Sequence, residues 1–201
     1  LTSDVLTDNA ATGTVDERSR GAASDGEVED YQVTILPQIT CISDSAMVNT
    51  AYNGLGGRLP TGARDLIWDV RTGASWYNAY VIGQTFPTWA ASPFGNADWI
   101  SVNSNGFHAL AGGNFDIYFR YRFNLDPTVL PNSFRLQMDF YADNSIWEIY
   151  INGVPQGASL PTVPQNPGDP YNHLGYVPGA QSQTLLTNNW QTGINELIVH
   201  V

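Results

Sequence analysis

A strand with regular alternation of apolar and polar residues constrains the fold of this chain more than any other stretch. It is the segment FDIYFRYRF at positions 115–123. Apolar residues stand at every second position, with more polar residues between them: Phe115, Ile117, Phe119, Tyr121 and Phe123 alternate with Asp116, Tyr118, Arg120 and Arg122. Because successive side chains of a strand point to opposite faces, one face is predicted to pack in a core. The other face is expected to meet water or to pair its arginines with acids.

Short β patterns fill most of the remaining chain, and no segment has the periodicity of a long amphipathic helix. Further strands are predicted at 28–36, 38–43, 65–70, 75–85, 97–102, 146–153 and 194–201. In SFRLQMDFYA the residues expected to point inward are Phe134, Leu136, Met138 and Phe140. Turn signals between these strands predict an all-β fold, an antiparallel jelly-roll β-sandwich with an N-terminal extended arm. We expect the arm to span residues 1–36 and the sandwich residues 37–201.

The charge of the chain disfavours nucleic acid as a partner. The net charge is −11, no cation is a lysine, and eight of the 19 acids fall in the first 30 residues. Phosphate binding needs clustered cations. Low charge with abundant Asn, Ser, Thr and Gly is typical of extracellular β proteins, so we expect a secreted or cell-surface protein. No apolar run is long enough to span a membrane, and the single cysteine, Cys41, is expected to be a buried strand thiol.

The stretch ASDGEVEDYQVTIL, at 23–36, is predicted to be a strand with an acidic beginning. Its apolar residues are Val28, Tyr31, Val33 and Ile35. A strand cannot satisfy its own backbone N–H and C=O groups, and the residues before it are too polar to pair with it. Its partner strand is therefore expected downstream or in another molecule. The chain begins at Leu rather than Met, so we expect a mature polypeptide whose leader has been removed, although a boundary set by cloning would look the same.

Calcium is the cofactor that the acidic residues could hold. Four carboxylates are close in sequence: Asp25, Glu27, Glu29 and Asp30. Hard cations take several oxygen ligands. The alternative is a solvated acidic edge that discourages wrong strand pairing. Asp143 with Asn144 is a second calcium candidate, and its alternative is a turn whose side chains cap their own backbone.

Aromatic residues predict a groove for a glycan or a protein partner. The segment at 84–99 gathers four of them around two prolines: Phe86, Trp89, Phe94 and Trp99. The loop between 153 and 182, which holds six of the twelve prolines, could supply the other wall through Tyr171, His173 and Tyr176. Loops of this length are usually functional lids or packed coverings. The alternative is that these aromatics only cover the end of the core.

Enzymatic chemistry is not indicated. The three histidines, His108, His173 and His200, have no metal-binding spacing, and His200 is expected to be an exposed structural residue. Nucleophile elbows, C-x-x-C pairs and phosphate-binding glycine loops are absent from the sequence. The carboxylate pairs Asp65 with Asp69 and Asp143 with Glu148 stand in turns and at a strand edge, where glycoside hydrolysis is not expected.

Two resemblances add to this reading. SDGEVEDYQVTI, at 24–35, resembles the closing strand of the GEVED domain of secreted bacterial surface proteins. FDIYFRYRFNL, FYADNSIWEIYINGV and NWQTGINELIVHV, in that order within 75–201, resemble the sugar-binding-type jelly roll attached to many glycoside hydrolases and surface proteins. The second resemblance implies a galactose-binding-like sandwich, and such sandwiches bind glycans, bind calcium or hold proteins together.

These observations favour a non-enzymatic extracellular structural subunit. We expect the N-terminal strand of one copy to join the sheet of the next, so that identical subunits form a head-to-tail filament. The alternative is a carbohydrate-binding or adhesive module of a larger bacterial surface protein. A third reading is a calcium-stabilised spacer domain.

Overall fold

The computed structural model describes residues 48–106, 116–143, 145–158 and 174–201, together with the backbone of 38–39. This part of the chain belongs to the second of two units, residues 36–201. The prediction of an all-β fold is confirmed. The described strands are β1 (Gln38–Ile39), β2 (Arg64–Arg71), β3 (Tyr77–Val81), β4 (Ile100–Ser101), β5 (Tyr118–Leu125), β6 (Leu136–Phe140), β7 (Glu148–Ile151), β8 (Val154–Pro155), β9 (Ser182–Leu186) and β10 (Gly193–His200).

The larger sheet is centred on β5 and β10. Its order is β4-β3-β2-β5-β10-β7-β8, and all of these pairs are antiparallel. β10 pairs with β5 along its whole length, from Gly193 opposite Leu125 to His200 opposite Tyr118. β1 pairs with β5 in parallel at Asn124 and Leu125, beyond the end of the β2–β5 ladder. The C-terminal strand is therefore an interior strand of the sheet.

The second sheet, in the described part of the chain, consists of β6 and β9 alone, paired from Leu136 opposite Leu186 to Phe140 opposite Ser182. The main core contains residues of both sheets and of the segments beside them. Its largest fully buried side chains include Tyr121, Phe123 and Leu125 from β5, Ile149 and Ile151 from β7, and Leu197 from β10. The fold is thus a β-sandwich with very unequal sheets.

The alternation predicted at 115–123 is confirmed for the residues that the structure describes. Tyr121 and Phe123 are fully buried, and Phe119 packs against the core while half-buried. On the opposite face, Arg120 donates from Nη2 to Asp69 Oδ2 over 2.6 Å and lies 3.6 Å from Glu196. This face therefore pairs its arginine with acids, one of the two expected outcomes. Phe115 lies outside the described residues.

Several predicted strands are shorter in the structure. The strand predicted at 75–85 spans only Tyr77–Val81, because Gly83 follows with a positive φ of 59° and turns the chain. The strand predicted at 97–102 is reduced to Ile100–Ser101. The strand around 134–140 begins at Leu136, since a 3-10 helix at Pro131–Ser133 places Phe134 at its end. Phe134 is buried there, and Leu136, Met138 and Phe140 pack half-buried on the core, as predicted.

His200 was expected to be exposed, and this prediction is wrong. Its side chain is 15% exposed, and its Nε2 lies 2.7 Å from Asp116 Oδ1. The imidazole stacks on Tyr118 with ring centroids 4.4 Å apart. Because Tyr118 stands directly opposite on β5, the cross-strand neighbour covers the histidine.

Candidate functional site: a groove beside β6

A cavity of about 1010 Å³ lies between the two sheets. Its floor includes apolar side chains of the larger sheet, among them Trp68 of β2, Phe119 of β5, and Leu197 and Val199 of β10. Protein interiors contain few voids larger than a water molecule. A space of this size matches the upper end of ligand pockets instead. The cavity is therefore a candidate binding groove, which we call the β6 groove.

The β6 groove runs along one edge of β6. All five residues of this strand, from Leu136 to Phe140, line it, whereas no residue of β9 does. Inward residues such as Met138 and outward residues such as Asp139 both take part. Since residues of both faces can line one space only where it meets the strand edge, the groove lies on the side of β6 opposite β9. Among the described residues, no strand pairs with that edge.

The opposite wall is formed by two segments, residues 48–50 and residues 92–94 with 96–101. The two segments are joined by hydrogen bonds: Thr50 Oγ1 donates to the Asp98 carbonyl over 2.6 Å, and Asn49 Nδ2 donates to Asn96 Oδ1 over 3.0 Å. Trp68 Nε1 donates to the Val48 carbonyl over 2.8 Å. The wall is thus fixed to β2 and does not close on β6 by backbone pairing in the described part of the chain.

Asp65, in β2, holds the segment at 48–51 of this wall through a hydrogen bond to its backbone. The carboxyl is buried and accepts the N–H groups of Ala51, at 2.6 Å, and of Ile67 and Trp68, both at 2.9 Å. Burial raises the pKa of Asp65, and the three N–H bonds act in the opposite direction. Ala51 has a positive φ of 61°, an uncommon conformation that the short bond to Asp65 helps to hold. The Asp65 carboxyl therefore holds three backbone N–H groups in place beside the groove wall.

The structure brings three of the predicted aromatic residues into ring contact. Phe86 contacts Trp89 at 4.8 Å, and Trp89 contacts Trp99 at 4.5 Å. Tyr141, which the sequence reading did not single out, extends the row at 6.0 Å from Trp99. Trp89 is only 7% exposed, so its ring is mainly a packing residue.

The predicted groove residues do not all line the β6 groove. Trp89, Phe94 and Trp99 line the β6 groove at one wall. Tyr176 contributes through its backbone, since its carbonyl accepts the Ala90 N–H over 2.6 Å. Tyr171 lies outside the described residues.

The charged residues of the groove are mostly acidic. Asp98 pairs with Arg58 at 3.1 Å, and Asp139 accepts from Gln183 Nε2 over 2.7 Å. Asp143 has an exposed surface, yet nearby protein atoms remove enough water to raise the pKa of its carboxyl to about 6. In the ranges that the structure describes, no three His, Cys, Asp or Glu side chains lie together as metal ligands would.

The remaining sequence-predicted site residues lie outside the described ranges. They are the acidic residues Asp25, Glu27, Glu29 and Asp30, the strand residues Val28, Tyr31, Val33 and Ile35, and Asn144 beside Asp143. The free edge of β6 was not predicted from the sequence. The alternation in SFRLQMDFYA predicts which side chains point inward, but it carries no information on which edges find a partner.

In the part of the chain that the structure describes, no helix has the length and apolar character needed to cross a bilayer. Comparison with protein-family models, with curated proteins and with solved structures finds no match to this chain. The GEVED and galactose-binding-like resemblances of the sequence therefore stay predictions.

Proposed function

We propose that this protein is a non-enzymatic, secreted or cell-surface structural subunit that assembles by strand donation. In this proposal the segment 28–36 of one copy enters the β6 groove of the next copy and pairs with the edge of β6 that no described strand occupies. Because the donated strand and the accepting groove are different surfaces, the contact is head-to-tail and open-ended. Identical subunits would then form a filament.

The observation that carries the proposal is an edge of β6 that no described strand pairs with, above an apolar floor. An exposed edge presents a row of N–H and C=O groups that another strand can satisfy. Native proteins usually protect such edges with charge, proline or a covering loop. β6 has Asp139 as its only charged residue and no proline. Trp68, Phe119 and Leu197 beneath the groove would receive apolar side chains of an incoming strand.

The segment 28–36 has the length and pattern that this groove requires. β6 is five residues long, which corresponds to about 17 Å of extended chain. As an extended strand, the nine-residue segment would exceed that length and would have Tyr31, Val33 and Ile35 on one side. Burial of Val33 and Ile35 would contribute about 3–6 kcal/mol. Each main-chain hydrogen bond would add about 1 kcal/mol.

The test is a substitution in the donated segment with a charge-matched control. Val33→Asp would place a carboxylate against the apolar floor, and we expect association to weaken about 100-fold or more. Val15→Asp adds the same charge outside the proposed strand, and filaments should form as in the wild type. Negative-stain microscopy and light scattering over a concentration series measure both.

Two results would contradict the proposal. Wild-type protein that stays monomeric at high concentration would show that no donation between copies occurs. If Val33→Asp lowers the melting temperature of such a monomer, the segment fills the groove of its own chain, and the protein is a single module.

Head-to-tail growth makes a further expectation for the same variant. A Val33→Asp subunit keeps an intact groove, so it can cap one end of a growing filament without extending it. A small fraction mixed into wild-type protein should therefore shorten the filaments in proportion to its amount. If Val33→Asp alone does not polymerise and yet leaves the filament length unchanged in such mixtures, the result would argue against head-to-tail growth, in which the donor strand and the accepting groove are different surfaces.

The second candidate function is glycan binding in the same groove. It is favoured by Phe94 and Trp99 in the groove wall beside the amides of Asn49 and Asn96, a mixture of rings and polar groups that suits sugars. Glycan-array binding that is lost in Trp99→Ala would support it. Absence of binding to any glycan would remove this candidate.

A further inference from the structure

Arg71, at the end of β2, lies against two aromatic rings on the outer face of the larger sheet. Its guanidinium carbon lies 4.7 Å from the ring centre of Trp76 and 4.8 Å from that of Tyr118. Tyr118 stands opposite Arg71 on β5, and His200 stands opposite Tyr118 on β10. Rings against a guanidinium orient its plane and leave its N–H edges available.

The neighbouring Arg120 has acidic partners, and Arg71 has none among the described residues. Arg120 also lies over Trp76, at 4.3 Å, but it donates to Asp69 and lies 3.6 Å from Glu196. Among the described residues, Arg71 has neither an ion pair nor a hydrogen bond. Its Nε is buried without a partner. Its two terminal nitrogens are not fully buried, so they reach solvent.

Arg71 is half-buried, and a cation that loses part of its hydration pays a free-energy cost that a paired anion can offset. A planar carboxylate that accepts from both terminal nitrogens would offset this cost with two charge-assisted hydrogen bonds. The surrounding charges favour a singly charged ligand over a phosphate dianion, because Asp69, Glu196 and Asp116 already stand on this face. The site therefore suits a carboxylate.

The sheet around Arg71 favours a sugar as the carrier of that carboxylate. β2 is paired on both sides near Arg71, with β3 at Val70 and with β5 at Arg71 itself. An acidic peptide would find no free backbone edge there for strand addition. Trp76 and Tyr118 are half-buried rings beside the arginine, and sugar rings pack through their apolar faces on the part of an aromatic ring that stays exposed.

We propose that Arg71, Trp76 and Tyr118 form a binding site for acidic carbohydrate, in which Arg71 holds the carboxylate of a uronic acid residue. The site lies on the outer face of the larger sheet, whereas the β6 groove lies between the sheets. It is therefore independent of strand donation, and it is also different from the glycan candidate in that groove.

The experiment is isothermal titration of the full chain with tri-galacturonic acid. Binding is expected, and Arg71→Gln should weaken it at least tenfold. The matched control is Arg64→Gln. Arg64 also lies over an aromatic ring, that of Tyr80, but its Nη1 already donates a hydrogen bond to the Asn78 carbonyl. Arg64→Gln should leave the dissociation constant unchanged. Equal binding by wild type and Arg71→Gln would overturn the proposal.

Ligand variants test the site without changing the protein. The methyl ester of the same trimer, which lacks the carboxylate, should fail to bind, and so should a neutral trisaccharide. Binding of the ester, or of a sulfated trisaccharide in preference to the uronate, would refute carboxylate recognition. Binding of a peptide with the sequence of residues 23–30 in place of the sugar would assign the site to a protein partner and refute the carbohydrate proposal.

Discussion

Replacing Asp65 by Asn tests how the wall of the β6 groove is held. The substitution keeps the shape of the side chain and one acceptor oxygen, which can still receive the N–H groups of Ile67 and Trp68. The second oxygen becomes an amide nitrogen facing the N–H of Ala51, now 2.6 Å from Asp65 Oδ2. A buried donor that loses its acceptor costs about 1–3 kcal/mol, and we expect Asp65→Asn to destabilise the fold by that amount. Asp65→Ala removes the acceptor for all three donors and should cost about 3–5 kcal/mol.

The effect of Asp65→Asn should also depend on pH. Burial raises the pKa of Asp65 above its ordinary value of 3.8, so the folded state holds the proton more tightly than the unfolded state. This contribution to stability is fully present below pH 3.8 and is lost as the pH rises through the folded pKa. Asn does not titrate. The stability difference between wild type and Asp65→Asn should therefore be largest near pH 3.5 and should narrow toward pH 7.

Urea unfolding followed by tryptophan fluorescence measures this difference, because Trp68 lies three residues from Asp65 and bonds to its carboxyl. Both proteins should carry Val33→Asp, since self-association would otherwise change the apparent stability. A difference that widens as the pH rises would refute the reasoning. It would mean that the three N–H bonds outweigh desolvation and lower the pKa.

Two other substitutions test the core and the loop contacts. The Tyr121 hydroxyl is buried without a hydrogen-bond partner in the described structure, so Tyr121→Phe should leave stability unchanged or raise it by about 1 kcal/mol in the same unfolding assay. A loss of more than 1 kcal/mol would show that the hydroxyl has a partner. Asn195 is fully buried; its Oδ1 accepts from Asn152 and from the backbone N–H of Gln191, and its amide donates to two carbonyls. Asn195→Ala should cost about 3 kcal/mol or more, and a melting temperature within 2 °C of wild type, about 1 kcal/mol or less, would contradict this.

The sequence predicts the centre of this fold well. In β5 and β10, strict alternation coincides with pairing over the full strand length, so the side chains alone indicate which face is buried. Tyr121 and Phe123 are at 0% exposure for this reason, and the pairing of Arg120 with acids follows from its position on the other face.

The groove could not be predicted in the same way. β6 pairs with β9, which lies more than 40 residues further along the chain, and the sequence of neither strand indicates that the other is its partner. The edge of a strand consists of backbone N–H and C=O groups, whereas the alternation of side chains indicates only which face of the strand is buried. The ring contacts of Arg71 could not be predicted either, since Trp76 lies in the connection between β2 and β3, and Tyr118 of β5 reaches Arg71 only in the folded sheet.

The central claim is that the β6 groove accepts a strand from another copy, and filling the groove tests it most directly. Ala97 lines the groove and is half-buried, whereas Ala91 is exposed and does not line it. Ala97→Trp should occupy space that the incoming strand needs, and Ala91→Trp is the control with the same added bulk. By negative-stain microscopy at equal concentration, we expect filaments for wild type and Ala91→Trp and only monomers for a folded Ala97→Trp protein. Filaments of normal length from folded Ala97→Trp would contradict the account.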